Sequence, residues 1–255
     1  MHLGWQWVRF PGCFFTRPQQ LIYDALLMGY DGIQMIPVRG ASGNEDGVLL
    51  WEKAWNPVNS LLKTLAHKRG ASGMPSEIAD WVVSPSIHEC TTISDQLQTR
   101  NLQQICHHPL LVPAGCLVEV NPDNRTTAAR YITHMQSGHL RGFVIDTHHL
   151  RRESRHHWSN PLMSGNDDWH LSVETLAPHT KAIHLHPRDV EAFLEDPTGS
   201  VEAEIVRHIL QFGSTDKMIM VAEYEPPKKA LGKAHASQLL AKTMLSAMEL
   251  IVDRA

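Results

Sequence analysis

The sequence predicts an α/β protein built as a parallel, eight-stranded (βα)8 barrel. Strand-like apolar runs alternate with helical patterns from end to end, with no linker and no break in composition. The strongest strands read as continuous apolar runs rather than alternations, the pattern of a sheet buried on both faces. No Gly-rich dinucleotide fingerprint follows the first strand, which favours a closed barrel over a doubly wound sheet. At 255 residues the length suits one such barrel, read as a single domain over residues 1–255.

The elements follow in order. Residues 3–8 read as the first strand. A helix over 18–29 has Leu21, Ile22, Ala25 and Leu26 at helical spacing, Pro18 in its first turn and Gly29 at its close. Residues 32–38 form the second strand, 39–47 a Gly/Ser/Asn-rich loop and 48–51 a weak third strand, before a helix over 58–68 and a loop at 70–73. Residues 81–85 read as the fourth strand and 93–106 as a helix; 116–120 form the fifth strand and 126–136 a helix. The sixth strand, 143–147, leads into a long polar loop over 150–168 and a short helix near 170–177. The seventh strand spans 181–186, the eighth 218–223, and helices follow at 201–212 and 233–253.

Chemistry gathers at the tips of the last four strands. Strand five supplies Glu119, strand six Asp146 and His149, strand seven His184 and His186, and strand eight Glu223. In a barrel these tips face one another around the C-terminal mouth. Each residue taken singly has an ordinary structural explanation; Asp146, for instance, can cap the helix that follows it. Repetition on adjacent strands is harder to dismiss, because burying several carboxylates together costs several kcal/mol unless a cation or proton compensates them. Carboxylates with an imidazole are a donor mix that Mn, Co, Fe, Zn or Mg ions accept.

Composition narrows the function. A net charge of −4 and a pI near 6.5 give no basic footprint for nucleic acid. No apolar run is long enough to span a membrane, and the N-terminus lacks a signal-peptide layout, so a cytoplasmic protein is expected. The four cysteines, Cys13, Cys90, Cys106 and Cys116, have no CxxC spacing and read as reduced thiols. The terminal helix carries apolar residues enough for a homo-oligomer contact, although packing on the barrel is their ordinary explanation.

Several stretches together resemble the xylose-isomerase-like TIM barrel superfamily, which includes sugar and sugar-phosphate isomerases, ketose 3-epimerases, inosose dehydratases and the endonuclease IV class. They are Leu117-Val118-Glu119, Asp146-Thr147-His148-His149, His186-Pro187-Arg188-Asp189, Ala222-Glu223-Tyr224-Glu225 and the opening Met28-Gly29-Tyr30-Asp31-Gly32-Ile33-Gln34. The resemblance implies one divalent metal ion held by Glu119, Asp146, His186 and Glu223, with His184 an alternative ligand because it shares a strand face with His186. It implies a sugar or polyol substrate isomerised or epimerised through an enediolate, with Glu119 and Glu223 moving protons. His149 matches the histidine that in epimerases approaches the substrate. His184 and Arg188 are further candidates for binding it, Arg188 against a structural ion pair with Asp189, and Trp7, with Trp5 and Phe14, is a candidate apolar wall against ordinary packing.

There are departures. Gln34 stands where the family carries a strand-two Glu. Trp51 and Ser84-Pro85-Ser86 stand where the endonuclease class places extra histidines, which argues against DNA repair. Two other readings stay open: a metal-dependent hydrolase of the endonuclease IV type, and a non-catalytic barrel that binds a partner.

Overall fold

A computed structural model of the chain describes residues 2–6, 28–30, 32–35, 83–85, 105–106, 116–120, 128–138, 140–151, 169–214, 218–224 and 234–255. Eight strands form one sheet: β1 His2–Gln6, β2 Gly32–Met35, β3 Val83–Pro85, β4 Ile105–Cys106, β5 Cys116–Val120, β6 Leu140–Asp146, β7 Thr180–Leu185 and β8 Ile219–Ala222. Their order is β3-β2-β1-β8-β7-β6-β5-β4, and every recorded pairing is parallel. This is sequence order read around a ring and opened between β3 and β4. Its seam pairs the first strand with the last, Trp5 opposite Ala222 and Gly4 opposite Val221. The architecture is the expected (βα)8 barrel.

Strand alternation divides the core in two. Val118, Val120, Phe143, Ile145, Ile183, Leu185, Met220 and Ala222 point outward into the large cluster between sheet and helices. The helices meeting them are α1 Ala128–Gln136, α2 Thr147–Arg151, α3 Trp169–Leu176, α4 Val190–Glu195, α5 Val201–Phe212 and α6 Ala234–Asp253. Tyr131 of α1 meets Phe143 edge-on at 5.8 Å between ring centres, a contact typical of aromatic pairs. Leu117, Val144, Ala182, Ile219 and Val221 form a second, smaller apolar cluster inside the barrel.

Two bulges set the register of this inner face. Opposite Cys116 and Leu117, β6 carries Leu140 and Gly142, so Arg141 is the extra residue. Opposite Phe143 and Val144, β7 carries Thr180 and Ala182, so Lys181 is extra. Above both, pairing is regular and aligns Val144 with Ala182 and Asp146 with His184. Between the bulges there is no room for a side chain on Gly142, whose Cβ would lie 2.7 Å from the His179 carbonyl oxygen.

The helices are closed by their own chemistry. Ser200 caps α5 by accepting from the Ala203 amide at 3.1 Å, and Glu202 and Glu204 lie in its positive first turn. Asp189 caps α4, accepting from Glu191 and Ala192 amides at 3.0 and 3.1 Å. Gly29, expected to close the first helix, has φ of +96°, a value glycine adopts without strain.

Three sequence expectations change. The strand pairing with β2 is Val83–Pro85, so the segment read as fourth is the third. The fourth strand is Ile105–Cys106, at the end of a stretch read as helix; two residues leave little periodic signal, and parallel pairing with β5 decides them. Residues 48–51 lie outside the described residues. Finally, α4 was not expected, and α2 only as the helix that Asp146 could cap, because helices of five or six residues are too short to display a helical stripe. Among the described residues no helix is long and apolar enough to cross a membrane.

Candidate metal centre at the barrel mouth

The polar residues sit one step above the inner apolar layer. Counting two residues along each strand leads from Leu117 to Glu119, Val144 to Asp146, Ala182 to His184 and Val221 to Glu223. A period of two keeps each pair on one face, so four neighbouring strands deliver four ligand-type side chains just above the apolar floor. Glu119, Asp146 and His184 are buried, while Glu223 is partly open to the mouth.

His184 is the centre of the group. Its Nδ1 lies 3.0 Å from Glu223 Oε2 and 3.3 Å from Glu119 Oε2. Burial alone would lower its pKa, but hydrogen bonding and the charges of Glu119 and Glu223 hold it well above the ordinary imidazole range. His149 reaches in from α2, its Nε2 3.1 Å from Glu119 Oε1 and 4.0 Å from Asp146 Oδ2. Burial opposes its charge, yet the bond to Glu119 and the nearby carboxylates raise its pKa to about 8.

Asp146 divides its two oxygens between fold and site. Oδ1 accepts from the backbone amides of His148 and His149 at 2.7 and 2.8 Å, capping α2. Oδ2 meets His186 Nδ1 at 3.1 Å. The capping explanation of Asp146 and the ligand explanation therefore both apply, to different atoms. Burial pushes the Asp146 carboxyl up, but the His186 hydrogen bond and the charges of His149 and His186 bring it below its ordinary value. Burial likewise opposes the charge on His186, whose pKa the same bond raises. The strand ends are tied by Thr147, whose Oγ1 accepts from the His186 amide at 2.9 Å.

His148 was not among the expected site residues. Its ring stacks on His186 at 4.7 Å, and its Nδ1 is buried with no hydrogen-bond partner among the described residues. Burial and the neighbouring charge of His186 lower its pKa to about 4. The doubled histidine after Asp146-Thr147 was the available sequence signal.

The donor set fits a divalent cation. Two groups bring three ligand atoms within 4.8 Å of one another, Glu119 with Asp146 and His149, and Asp146 with His184 and Glu223. One Nδ1 proton cannot fully satisfy the two carboxylate oxygens that face His184. Ligand atoms bound about 2.1 Å from one ion lie roughly 3 Å apart, which is the spacing found here. His186, named first from sequence, stands two residues beyond His184 and contacts the site through Asp146. Arg188 is exposed in the turn before α4, beyond this inner group. Trp7 lies outside the described residues, as does the Gln34 side chain.

No protein-family model matches the sequence, and no curated protein matches it. Solved structures do. A D-psicose 3-epimerase from Clostridium cellulolyticum H10, determined with D-tagatose, superposes with a TM-score of 0.56 at 9% identity over 98% of each chain. The two share the (βα)8 barrel fold. An L-ribulose 3-epimerase matches equally well, with a TM-score of 0.55 at 13% identity over 99% of this chain and 95% of the other. The (βα)8 barrel expected from the sequence is thus borne out as a fold.

The tip of the fourth strand does not lie at Ser84-Pro85-Ser86: β4 ends at Cys106 and is followed directly by His107-His108. Those two residues lie outside the described residues. Their position in the chain removes one ground for setting the hydrolase reading aside.

Proposed function

We propose that the protein is a divalent-metal-dependent sugar isomerase or epimerase acting on a small ketose. The observation that carries this reading is the convergence of Glu119, Asp146, His184 and Glu223 above the inner apolar layer, in a barrel similar along its whole length to two sugar 3-epimerases. Glu119, Asp146, Glu223 and one strand-seven imidazole would hold the ion, and the spacing around His184 favours that residue over His186. When bound, the ion would supply Lewis acidity to a sugar carbonyl and its neighbouring hydroxyl, favouring proton loss toward an enediolate.

The remaining work belongs to side chains. Glu119 and Glu223 come from strands separated by β6 and β7, so they approach the mouth from different sides. Such a pair suits removal of a proton from one face of a substrate carbon and return to the other. His149 fixes Glu119 through their contact at 3.1 Å and so orients that carboxylate toward the substrate. The inner apolar layer beneath keeps water from entering below.

The test is metal content followed by turnover. Protein purified without chelators should carry about one equivalent of Mn, Co, Fe or Zn per chain, and should convert a ketose to its C3 epimer or an aldose. Absence of both metal and product after divalent ions are added back would reject the reading. A metal-dependent hydrolase is the second reading, favoured specifically by His107-His108 after β4. Two or three ions per chain, with phosphodiester cleavage and no epimerisation, would put it first.

A further inference from the structure

A second set of ligand-type side chains lies on the outer wall of the barrel. His170 and Glu174 stand one turn apart on α3, and Glu204 and His208 one turn apart on α5, so each pair shares a helix face. The two pairs meet rung to rung. His170 Nε2 lies 3.3 Å from Glu204 Oε1, and His208 Nε2 lies 3.1 Å from Glu174 Oε1. Because His precedes Glu on α3 and follows it on α5, the two imidazoles are diagonal to one another. Their centres are 5.0 Å apart and their planes are inclined at 87°.

Aromatic side chains hold both rings in place. Trp169 stacks on His170 at 3.8 Å and meets His208 edge-on at 5.5 Å. Phe212 packs against the other side of the pair, 4.8 Å from His208. Two imidazoles bound to one tetrahedral ion through bonds of about 2.0–2.1 Å have ring centres roughly 5 Å apart. Glu174 and Glu204 are 40% and 52% exposed, so each side chain has room to turn toward a shared ion.

We propose that His170, Glu174, Glu204 and His208 form a second divalent-metal site, separate from the mouth, that clamps α3 to α5. Two nitrogens and two carboxylates suit Zn²⁺, Co²⁺, Ni²⁺ or Cu²⁺ and disfavour Mg²⁺ and Ca²⁺, which prefer all-oxygen shells. The clamp bears on the mouth indirectly, because α5 also packs against α2, the helix that carries His149.

Chelator-stripped protein is titrated with Zn²⁺ by calorimetry and with Co²⁺ by visible absorption. Asp146→Asn/Glu223→Gln removes mouth donors, His170→Ala/His208→Ala removes the proposed clamp, and His134→Ala controls for a stray helix imidazole. The wild type should bind one equivalent more than His170→Ala/His208→Ala, and the mouth variant should retain that equivalent with a tetrahedral Co²⁺ spectrum. The isosteric Glu174→Gln/Glu204→Gln should weaken it tenfold or more while leaving the circular dichroism unchanged. Equal stoichiometry in the wild type and His170→Ala/His208→Ala would overturn the proposal, as would an equal loss in His134→Ala.

Discussion

Asp146 and His184 are register partners across β6 and β7, one at the end of its strand and the other one residue short of it. Both belong to the buried inner face, and both side chains take part in the same ligand group with Glu223. Pairing of a carboxylate and an imidazole at one level of the sheet makes the site a property of the strand ladder.

Removing His184 should therefore be costly to the fold as well as to binding. His184→Ala leaves Glu119 and Glu223 facing each other without the imidazole, and loss of one partner from a buried charged group costs about 3–5 kcal/mol. His186→Ala, whose ring meets Asp146 Oδ2 and stacks on His148 at the partly open mouth, should cost less than half of that. Urea unfolding of chelator-treated protein checks the ranking; equal losses would remove His184 from the centre of the site.

Asp146→Asn separates the two duties of one side chain. The amide oxygen still caps α2 in place of Oδ1, so helical content should hold. The charge is lost, and metal affinity should fall by a factor of ten to a hundred or more, as for other changes at metal-binding shells. Calorimetric titration beside far-ultraviolet dichroism distinguishes the two; a collapse of both signals would mean the carboxylate acts through the fold alone.

Adjacent histidines should bound the stability of the metal-free protein from opposite sides. The fold raises His149 to about 8, so its contribution is complete below the unfolded value of 6.5 and is lost as pH rises through 8. That swing is worth about 2 kcal/mol at most. The fold lowers His148 to about 4, so a penalty absent above 6.5 grows as pH falls toward 4. Thermal midpoints of chelator-treated protein should peak near pH 6.5. His149→Gln should flatten the alkaline side and leave the acid side.

Metal binding should reverse the alkaline trend. An ion held by His184 must displace the proton that His184 carries, so apparent affinity should rise with pH, about tenfold per unit for that proton. Titration in buffers of different protonation enthalpy counts the protons. A pH-independent affinity would place the ion elsewhere.

The strand-tip residues were legible because their strands are strong. Continuous apolar runs ending in Glu119, Asp146, His184 and Glu223 carry both the element and the site in a few adjacent letters. The choice between His184 and His186 was not legible from alternation alone, since both share a face; the inner cluster and its register supply the missing level. The short strand β3 was misnumbered and β4 was read as helix because three or two residues carry no periodicity, and sheet pairing decides them. The clamp on α3 and α5 was invisible for another reason. Its halves are 34 residues apart, and only the parallel packing of two outer helices brings them together.

The seam between β1 and β8 has a consequence for the order in which the molecule comes into being. During synthesis the ring's first strand emerges long before its last, and it must wait with an unpaired edge until residues 219–222 arrive. The donors arise between Glu119 and Glu223, so all of them are present once β8 has emerged. A cation arriving then would find the donors gathered on β5 to β8 and would favour the closed ring. On the proposed function, the same ion would also help decide whether a newly made chain becomes a barrel.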